Sequence, residues 1–280
     1  MTSAAPRDDR DVFRLAPSMD ASVLETIAAR LEFRATDEGY ARMSQAYFAR
    51  VPLASARRIL ALGCGTGVEV RALKRRMAPD AVVVGIDHSP TLIDSARRLT
   101  AEEGLSDNVT YRAADAHQLP CADGEFDLVT LHTLISHVED PVQVLREARR
   151  VVQPGGTVAV FDGDYASLTF GYPDHELAVV IEEKLRQVLV ANPRVMRDMP
   201  RLLREVGLEL VEAEGSLYPN IGSGSFWVNA AEAYGSVLAR SDLLPQAVVD
   251  QWRAFQSRSA ADNTFFGASN YYTYLARRSR

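Results

Sequence analysis

Short apolar runs alternate with amphipathic segments along most of the chain. The run 59–62 consists of four apolar residues, and 81–87 and 126–131 are similarly rich in aliphatic side chains. Runs of this kind are typical of strands that are buried on both faces of a sheet. The seven predicted strands are 59–62, 81–87, 108–113, 126–131, 157–161, 208–217 and 270–276.

Apolar residues recur at helical spacing between the early strands. Ser89 and Asp140 are predicted N-caps, since each is followed by proline at the first helical position. Strands that alternate with helices at this spacing are typical of α/β proteins. The sequence therefore predicts a doubly wound, mostly parallel sheet of seven strands.

Helical segments also occur outside this alternation. We expect them to cover the sheet as a cap, because ligands of open α/β sheets bind beyond the carboxyl ends of the strands. The predicted segments are a flexible tail over 1–19, lid helices over 20–56, and a domain over 57–280 with helical insertions at about 165–200 and 223–260.

The first predicted strand ends in a glycine-rich turn. Gly63, Gly65 and Gly67 occupy every second position, and a helix is predicted from Val68. Glycine suits a turn that needs positive φ, and it lets a ligand approach the backbone closely. The dinucleotide fingerprint G-x-G-x-x-G would require a third glycine at position 68. The spacing argues against a dinucleotide, and a glycine turn without a ligand stays open as the alternative.

Two acids follow the next predicted strands. Asp87 ends the second strand, 20 residues after Gly67. A carboxylate at this place can accept hydrogen bonds from both hydroxyls of a ribose. Asp115 follows the third strand, within Ala-Ala-Asp-Ala-His-Gln-Leu-Pro.

Together these segments resemble class I S-adenosylmethionine (SAM)-dependent methyltransferases. The glycine loop, Asp87 and Asp115 are followed by Phe-Asp-Leu-Val at 126–129, His-Val-Glu-Asp-Pro at 137–141 and Arg-Val-Val-Gln-Pro-Gly-Gly at 150–156. These segments are similar to the ubiquinone/menaquinone-biosynthesis-like branch, which modifies small molecules.

The resemblance covers 57–161 tightly and 199–214 loosely, and it implies a SAM site. It implies that the glycines lie against the methionine part of SAM, that Asp87 holds the ribose, and that Asp115 accepts from the adenine amino group. The cofactor-binding residues expected on this basis are Gly63, Cys64, Gly65, Gly67, Asp87, His88, Asp115, Ala116 and His132.

One position departs from the family pattern. The family usually carries an acid two residues before the first glycine, and this chain has Ala61 there. In the family that acid helps to organise the amino end of SAM.

His132 is the candidate catalytic residue. It directly follows the buried run of the fourth strand, so its side chain is expected at the ligand crevice. An imidazole with a pKa near working pH could orient an acceptor hydroxyl or take its proton. Packing against the cofactor, or a hydrogen bond to a loop, is the alternative. His132 and His137 are five residues apart rather than four, so no metal site is predicted.

Aromatic and acidic residues outside the core strands are candidate contacts for the methyl acceptor. A cover rich in aromatic side chains suits a partly apolar or ring-bearing molecule. Trp227 could equally serve to fix an added helix to the sheet. The candidate substrate-binding residues are Tyr40, Tyr47, Asp162, Tyr165 and Trp227.

Composition narrows the expected partners. The net charge is −6, and the main basic cluster is 74–76, which argues against nucleic acid as a partner. Apolar runs fall short of a membrane span, so no membrane partner is expected. Cys64 lies inside the glycine loop, which favours free thiols and a reducing cytoplasm. We expect a cytoplasmic monomer or homodimer.

The sequence thus predicts a methyltransferase that uses SAM to modify a small molecule. The reacting atom of the acceptor (O, N or C) stays open, and a quinone-like or secondary-metabolite acceptor is plausible. A SAM-binding protein that does not methylate is the first alternative. A nicotinamide-dependent oxidoreductase is the second, and Val68 counts against it.

Overall fold

The computed structural model describes residues 21–280, apart from the side chains at positions 21–23 and 26. The tail predicted over 1–19 lies outside the described residues. The helices are α1 (Ala21–Thr36), α2 (Glu38–Arg50), α3 (Val68–Lys74), α4 (Pro90–Glu102), α5 (Pro141–Val151), α6 (His175–Leu189), α7 (Val195–Glu205), α8 (Ser225–Ala239) and α9 (Gln246–Ala261). The strands are β1 (Arg58–Leu62), β2 (Val82–Asp87), β3 (Val109–Ala113), β4 (Phe126–His132), β5 (Val152–Phe170), β6 (Leu208–Gly222) and β7 (Phe265–Arg278).

The seven strands form one sheet in the order β3-β2-β1-β4-β5-β7-β6. The first five strands pair in parallel, whereas β7 runs antiparallel to both β5 and β6. The prediction of a mostly parallel, seven-stranded sheet is confirmed. The strand order reverses direction at β1 and β4, and ligands of such sheets bind at that point.

The central strand β1 is covered on both faces. Ile59 and Ala61 belong to one hydrophobic cluster, and Leu60 and Leu62 belong to the other. Residues of α3 and α4 pack in the first cluster, and residues of α5 and α7 pack in the second. Helices therefore cover both faces, as a doubly wound fold requires.

Local capping determines where two of the helices begin. The Ser89 hydroxyl accepts from Leu92 N at 3.4 Å, and Asp140 Oδ1 accepts from Gln143 N at 3.0 Å. Proline follows each cap, as predicted, because its fixed φ and missing N–H suit the first helical position.

The last three strands extend beyond their predicted ends. β5 continues to Phe170, so the first residues of the segment expected as a helical insertion are strand. Its pairing with β7 continues past a register shift between Asp164 and Thr169. The antiparallel neighbour supplies the hydrogen bonds of this extension, and the strand's own sequence pattern therefore does not reveal it. Within residues 21–280, no helix is both long and apolar enough to cross a bilayer.

Candidate active site

A cavity of about 1010 Å³ lies beyond the carboxyl ends of β1, β2, β3 and β4. Its floor is formed by the segments that follow these strands, and residues of α1 and α2 line the opposite side. Its volume lies at the upper end of the range of about 300–1,000 Å³ that is usual for ligand pockets. The predicted cofactor-binding residues that line it are Gly63, Cys64, Gly65, Asp87, His88, Asp115, Ala116 and His132.

The glycine turn after β1 has a backbone that other residues rarely adopt. Gly63, Gly65 and Gly67 all have positive φ, at 65°, 50° and 80°. A Cβ atom on Gly63 would lie 2.6 Å from Leu134 Cδ1, so a side chain at this position would clash with Leu134. Gly67 does not line the cavity and lies against Tyr111 instead.

Asp87 connects the ends of two strands. Its Oδ2 atom accepts from Gly65 N at 2.9 Å, and its Oδ1 atom accepts from Ser89 N at 2.9 Å. The side chain is buried. An ionised carboxylate has about four lone-pair sites, so two further donors can still be accepted. Asp87 therefore stabilises the glycine turn and keeps acceptor capacity toward the cavity.

Asp115 and His117 are tied together at the rim of the cavity. Asp115 Oδ1 accepts from His117 N at 2.8 Å and lies 2.7 Å from His117 Nδ1, while Asp140 N donates to His117 Nε2 at 3.2 Å. Partial burial raises the pKa of Asp115, but the hydrogen bonds from His117 outweigh it and hold that pKa below its usual range. Asp115 is therefore a fixed, ionised acceptor.

His132 contacts Tyr40 at the centre of the cavity wall. Its Nε2 atom lies 2.8 Å from the Tyr40 hydroxyl, and its ring packs against Phe161 at 4.7 Å. The Nδ1 atom is buried and has no hydrogen-bond partner. The Arg34 guanidinium lies 4.8 Å from the centre of the Tyr40 ring and donates to Thr133 Oγ1 at 3.0 Å.

The electrostatics of His132 differ from the expectation. Burial, together with the charge of Arg34, lowers the pKa of His132 to about 3. The imidazole is therefore neutral at physiological pH, and the expected pKa near working pH is wrong. Burial also raises the pKa of Tyr40 to about 12, so its hydroxyl stays protonated and can donate to His132 Nε2.

Three candidate substrate residues lie behind the cavity wall rather than on it. Tyr47 donates to Glu69 Oε1 at 3.4 Å. Asp162 accepts from Ser136 N at 3.1 Å and holds the turn after β4, and burial raises its pKa. Trp227 donates from its indole N–H to the Tyr218 carbonyl at 2.7 Å, and this contact fixes α8 to β6.

The fourth candidate, Tyr165, lines a second cavity of about 80 Å³. Tyr234, Tyr271 and Phe226 also line it, and Arg34 lines both cavities. The second cavity is therefore an aromatic recess that borders the larger cavity at Arg34.

Sequence reasoning missed several charged residues of the main cavity. Glu69 is buried and Arg34 is half-buried, and neither was singled out. Glu32 was missed too; it accepts from Thr66 Oγ1 at 2.5 Å and from Arg71 Nη2 at 2.6 Å. The one signal in the sequence was the missing acid at position 61, which a nearby acid could replace.

Comparison with known proteins identifies the family. A model described as "Methyltransferase domain" matches residues 60–160. The 27-O-demethylrifamycin SV methyltransferase of Amycolatopsis mediterranei is 30% identical over 201 residues, covering 71% of this chain and 70% of that protein. A ubiquinone biosynthesis O-methyltransferase of Thiobacillus denitrificans is 34% identical, covering 60% of this chain and 71% of that protein. This chain belongs to the class I SAM-dependent methyltransferases.

A solved structure agrees with this family at the level of the fold. The crystal structure of a putative methyltransferase from Bacillus halodurans superposes with a TM-score of 0.60 at 19% identity, covering 84% of this chain and 98% of that one. For two other curated relatives, the match spans only 42% and 59% of their length.

The main cavity suits SAM, the cofactor of this family. SAM carries an adenine, a ribose and an amino acid, and therefore needs many polar partners. The glycine turn and Asp87 line this cavity. Two buried atoms, Glu69 Oε2 and His88 Nε2, have no hydrogen-bond partner within the protein. Buried polar atoms without partners are costly, so a polar ligand would satisfy them. The described part of the chain contains no cluster of His, Cys, Asp or Glu side chains placed to hold a metal ion.

Proposed function

We propose that this protein transfers a methyl group from SAM to a small organic acceptor that enters beside Tyr40 and His132. One observation carries the proposal: a single cavity joins the glycine loop, Asp87 and Asp115 to a buried Tyr40–His132 pair. The first three features suit a nucleoside with a charged amino acid, and the pair provides polar groups next to an aromatic wall.

The cofactor-binding roles follow from the geometry of the loops. Asp87 has free lone pairs for ribose hydroxyls, and ionised Asp115 can accept from an adenine amino group. Gly63 and Gly65 leave the backbone open to the amino-acid part.

When bound, SAM would supply an activated methyl group to the acceptor's lone pair; S-adenosylhomocysteine would be the leaving group, and a hydroxyl acceptor would release its proton. The protein mainly aligns the acceptor and excludes water. With a pKa of about 3, His132 is a weak proton acceptor, so we assign it a positioning role: it holds the Tyr40 hydroxyl, which faces the acceptor.

We further propose that α1 and α2 act as a lid and that α6, α8 and α9 form a cap. Residues of α1, α6 and α8 line the second cavity, together with Tyr165 and Tyr271. An enclosed aromatic recess favours a partly apolar, ring-bearing acceptor. The names of the Amycolatopsis and Thiobacillus relatives indicate methylation of oxygen in those proteins, which supports a hydroxyl as the acceptor group here.

Thermal shift with SAM, S-adenosylhomocysteine and NAD tests the cofactor assignment. A ligand that binds only the folded protein raises the melting temperature. We expect stabilisation by the first two ligands and none by NAD. A shift with NAD alone would overturn the assignment in favour of an oxidoreductase.

A mass-spectrometric screen of hydroxyl-bearing quinone-like and secondary-metabolite acceptors then tests methyl transfer. The expected product is heavier by one methylene unit and appears only with SAM. Tight binding of SAM with no product from any acceptor class would favour the alternative, a SAM-binding protein that does not methylate.

A further inference from the structure

Position 61 carries a small side chain in β1, the strand that leads into the glycine turn. Ala61 is fully buried and pairs in register with Thr130 of the neighbouring strand β4. Residues in register on parallel strands face the same side of the sheet. Two short side chains therefore lie side by side on β1 and β4, and the family pattern has a carboxylate at the first of these positions.

A carboxylate from the next helix reaches this place. Glu69 lies in the first turn of α3, and its carboxyl group faces Thr130. The residue is 6% exposed and lines the main cavity. Its Oε1 atom accepts from the Tyr47 hydroxyl at 3.4 Å, whereas its Oε2 atom has no hydrogen-bond partner.

The surroundings of Glu69 contain no positive charge that would balance an ionised carboxylate. His132 Nδ1 lies 3.7 Å from Glu69 Oε1, and that imidazole is neutral. Among residues 21–280, no arginine or lysine forms an ion pair with Glu69; the nearby Arg71 pairs with Glu32 and Glu103. A buried charge without a partner is unfavourable, so this carboxylate is suited to a cation brought by a ligand.

We propose that Glu69 replaces the acid missing at position 61 and binds the α-ammonium group of SAM. The inference rests on the proposed function. SAM carries two positive groups, the ammonium and the sulfonium. Only the ammonium has N–H donors, and Glu69 Oε2 is an unused hydrogen-bond acceptor. The hydrogen-bonding capacity of this site therefore selects the ammonium.

Binding calorimetry with two ligands that differ only in the ammonium tests the proposal. The ligands are S-adenosylhomocysteine, which has the ammonium and no sulfonium, and its deamino analogue. Glu69→Gln keeps the size of the side chain but cannot become a carboxylate when the ammonium binds. We expect it to weaken binding of S-adenosylhomocysteine about 10- to 100-fold, as for loss of a charged hydrogen bond. Binding of the deamino analogue should change little.

Two further variants complete the design. Glu102→Gln makes the same substitution at an exposed position of α4 and should leave both affinities unchanged. The double variant Ala61→Asp/Glu69→Gln moves the acid to the position that the family uses and should recover part of the lost affinity. If this variant fails to fold, the comparison of the two ligands on Glu69→Gln still decides the question.

The outcomes separate this inference from the proposed function. If the wild-type protein binds neither SAM nor S-adenosylhomocysteine, the proposed function is wrong. If the wild type binds both and Glu69→Gln binds S-adenosylhomocysteine equally well, only the role of Glu69 is wrong. Equal weakening of both ligands would also overturn it, since the loss would then not depend on the ammonium.

Discussion

The carboxylate of Asp87 holds the backbone N–H of Gly65 at 2.9 Å, so the acid that ends β2 fixes the glycine turn that follows β1. Its other oxygen fixes Ser89, where α4 begins. One side chain therefore sets the positions of two loops that line the same cavity, so the role that we propose for it in cofactor binding is coupled to its role in the fold.

Asp87→Ala should lower both cofactor affinity and stability. The substitution leaves two buried N–H groups, those of Gly65 and Ser89, without acceptors, at a cost of about 1–3 kcal/mol each. Loss of charged hydrogen bonds to a ribose should weaken S-adenosylhomocysteine about 10- to 100-fold in calorimetry. Asp94→Ala, at an exposed site on α4, is the control. Unchanged affinity in Asp87→Ala would restrict Asp87 to a structural role.

His132 should make the protein less stable in acid. Its pKa falls from 6.5 in the unfolded chain to about 3 in the folded protein. Below pH 6.5 His132 is protonated in the unfolded chain but stays neutral in the folded protein, so stability is lost as pH falls toward 3. We therefore expect the melting temperature of His132→Gln minus that of wild type to increase as the pH is lowered from 7 to 4.

The same pKa makes a prediction for the rate profile. Wild-type turnover should show no loss between pH 7.5 and 5.5 that is due to protonation of His132, because the imidazole is already neutral throughout this range. A limb near pH 6.5 that disappears in His132→Gln would instead restore His132 as a general base.

Glu69 should destabilise the ligand-free protein at alkaline pH. Burial raises the pKa of Glu69 from 4.5 to about 8. The folded protein thus retains a proton that the unfolded chain releases, and stability falls as pH rises from 4.5 through 8. The titratable groups that face it are Tyr40 and Tyr47 of α2, His132 of β4 and Cys64 of the glycine turn, and none carries a positive charge near neutral pH.

Glu69→Gln removes this dependence, so its melting temperature should exceed that of wild type by a margin that grows from pH 5 to pH 8. Differential scanning fluorimetry without ligand measures the margin. Glu102→Gln provides the matched control. A margin that stays constant across the range would show that Glu69 is ionised in the ligand-free protein.

Trp227→Ala should affect the fold far more than the cofactor. The side chain is 2% exposed, bonds to the Tyr218 carbonyl and lines neither cavity. Removing a buried tryptophan costs about 3–5 kcal/mol. We expect a large fall in melting temperature, with affinity for S-adenosylhomocysteine at low temperature within a few-fold of wild type. A change in acceptor choice without a loss of stability would place Trp227 in the acceptor site.

The sequence predicted which residues at the carboxyl ends of the strands line the main cavity, because the signals for these positions are local. Gly63 and Asp115 each follow a predicted strand and Asp87 ends one, and parallel strands bring their carboxyl ends to one edge. The family resemblance covers the same part of the chain, so the residues and the fold were predicted together.

The other half could not be predicted from spacing. Tyr40 and His132 are 92 residues apart and meet only because α2 packs across the sheet. The neutral state of His132 follows from burial and from Arg34, both of which are tertiary effects. Likewise, the length of β5 depends on pairing with β7, which lies about a hundred residues further along the chain.

The place of β7 in the sheet also constrains the order of folding. Among the strands of residues 21–280, β6 pairs with β7 alone, and β7 lies between β6 and β5. Residues 208–222 therefore have no sheet partner until residues 265–278 have been synthesised. The earlier strands can pair before β7 is made, whereas this edge cannot. Until then its backbone is unpaired, and Leu208 and Tyr218, which are buried in the folded protein, are exposed. Substitutions that destabilise β7 should therefore cause aggregation of newly synthesised chains before they reduce the activity of the folded protein.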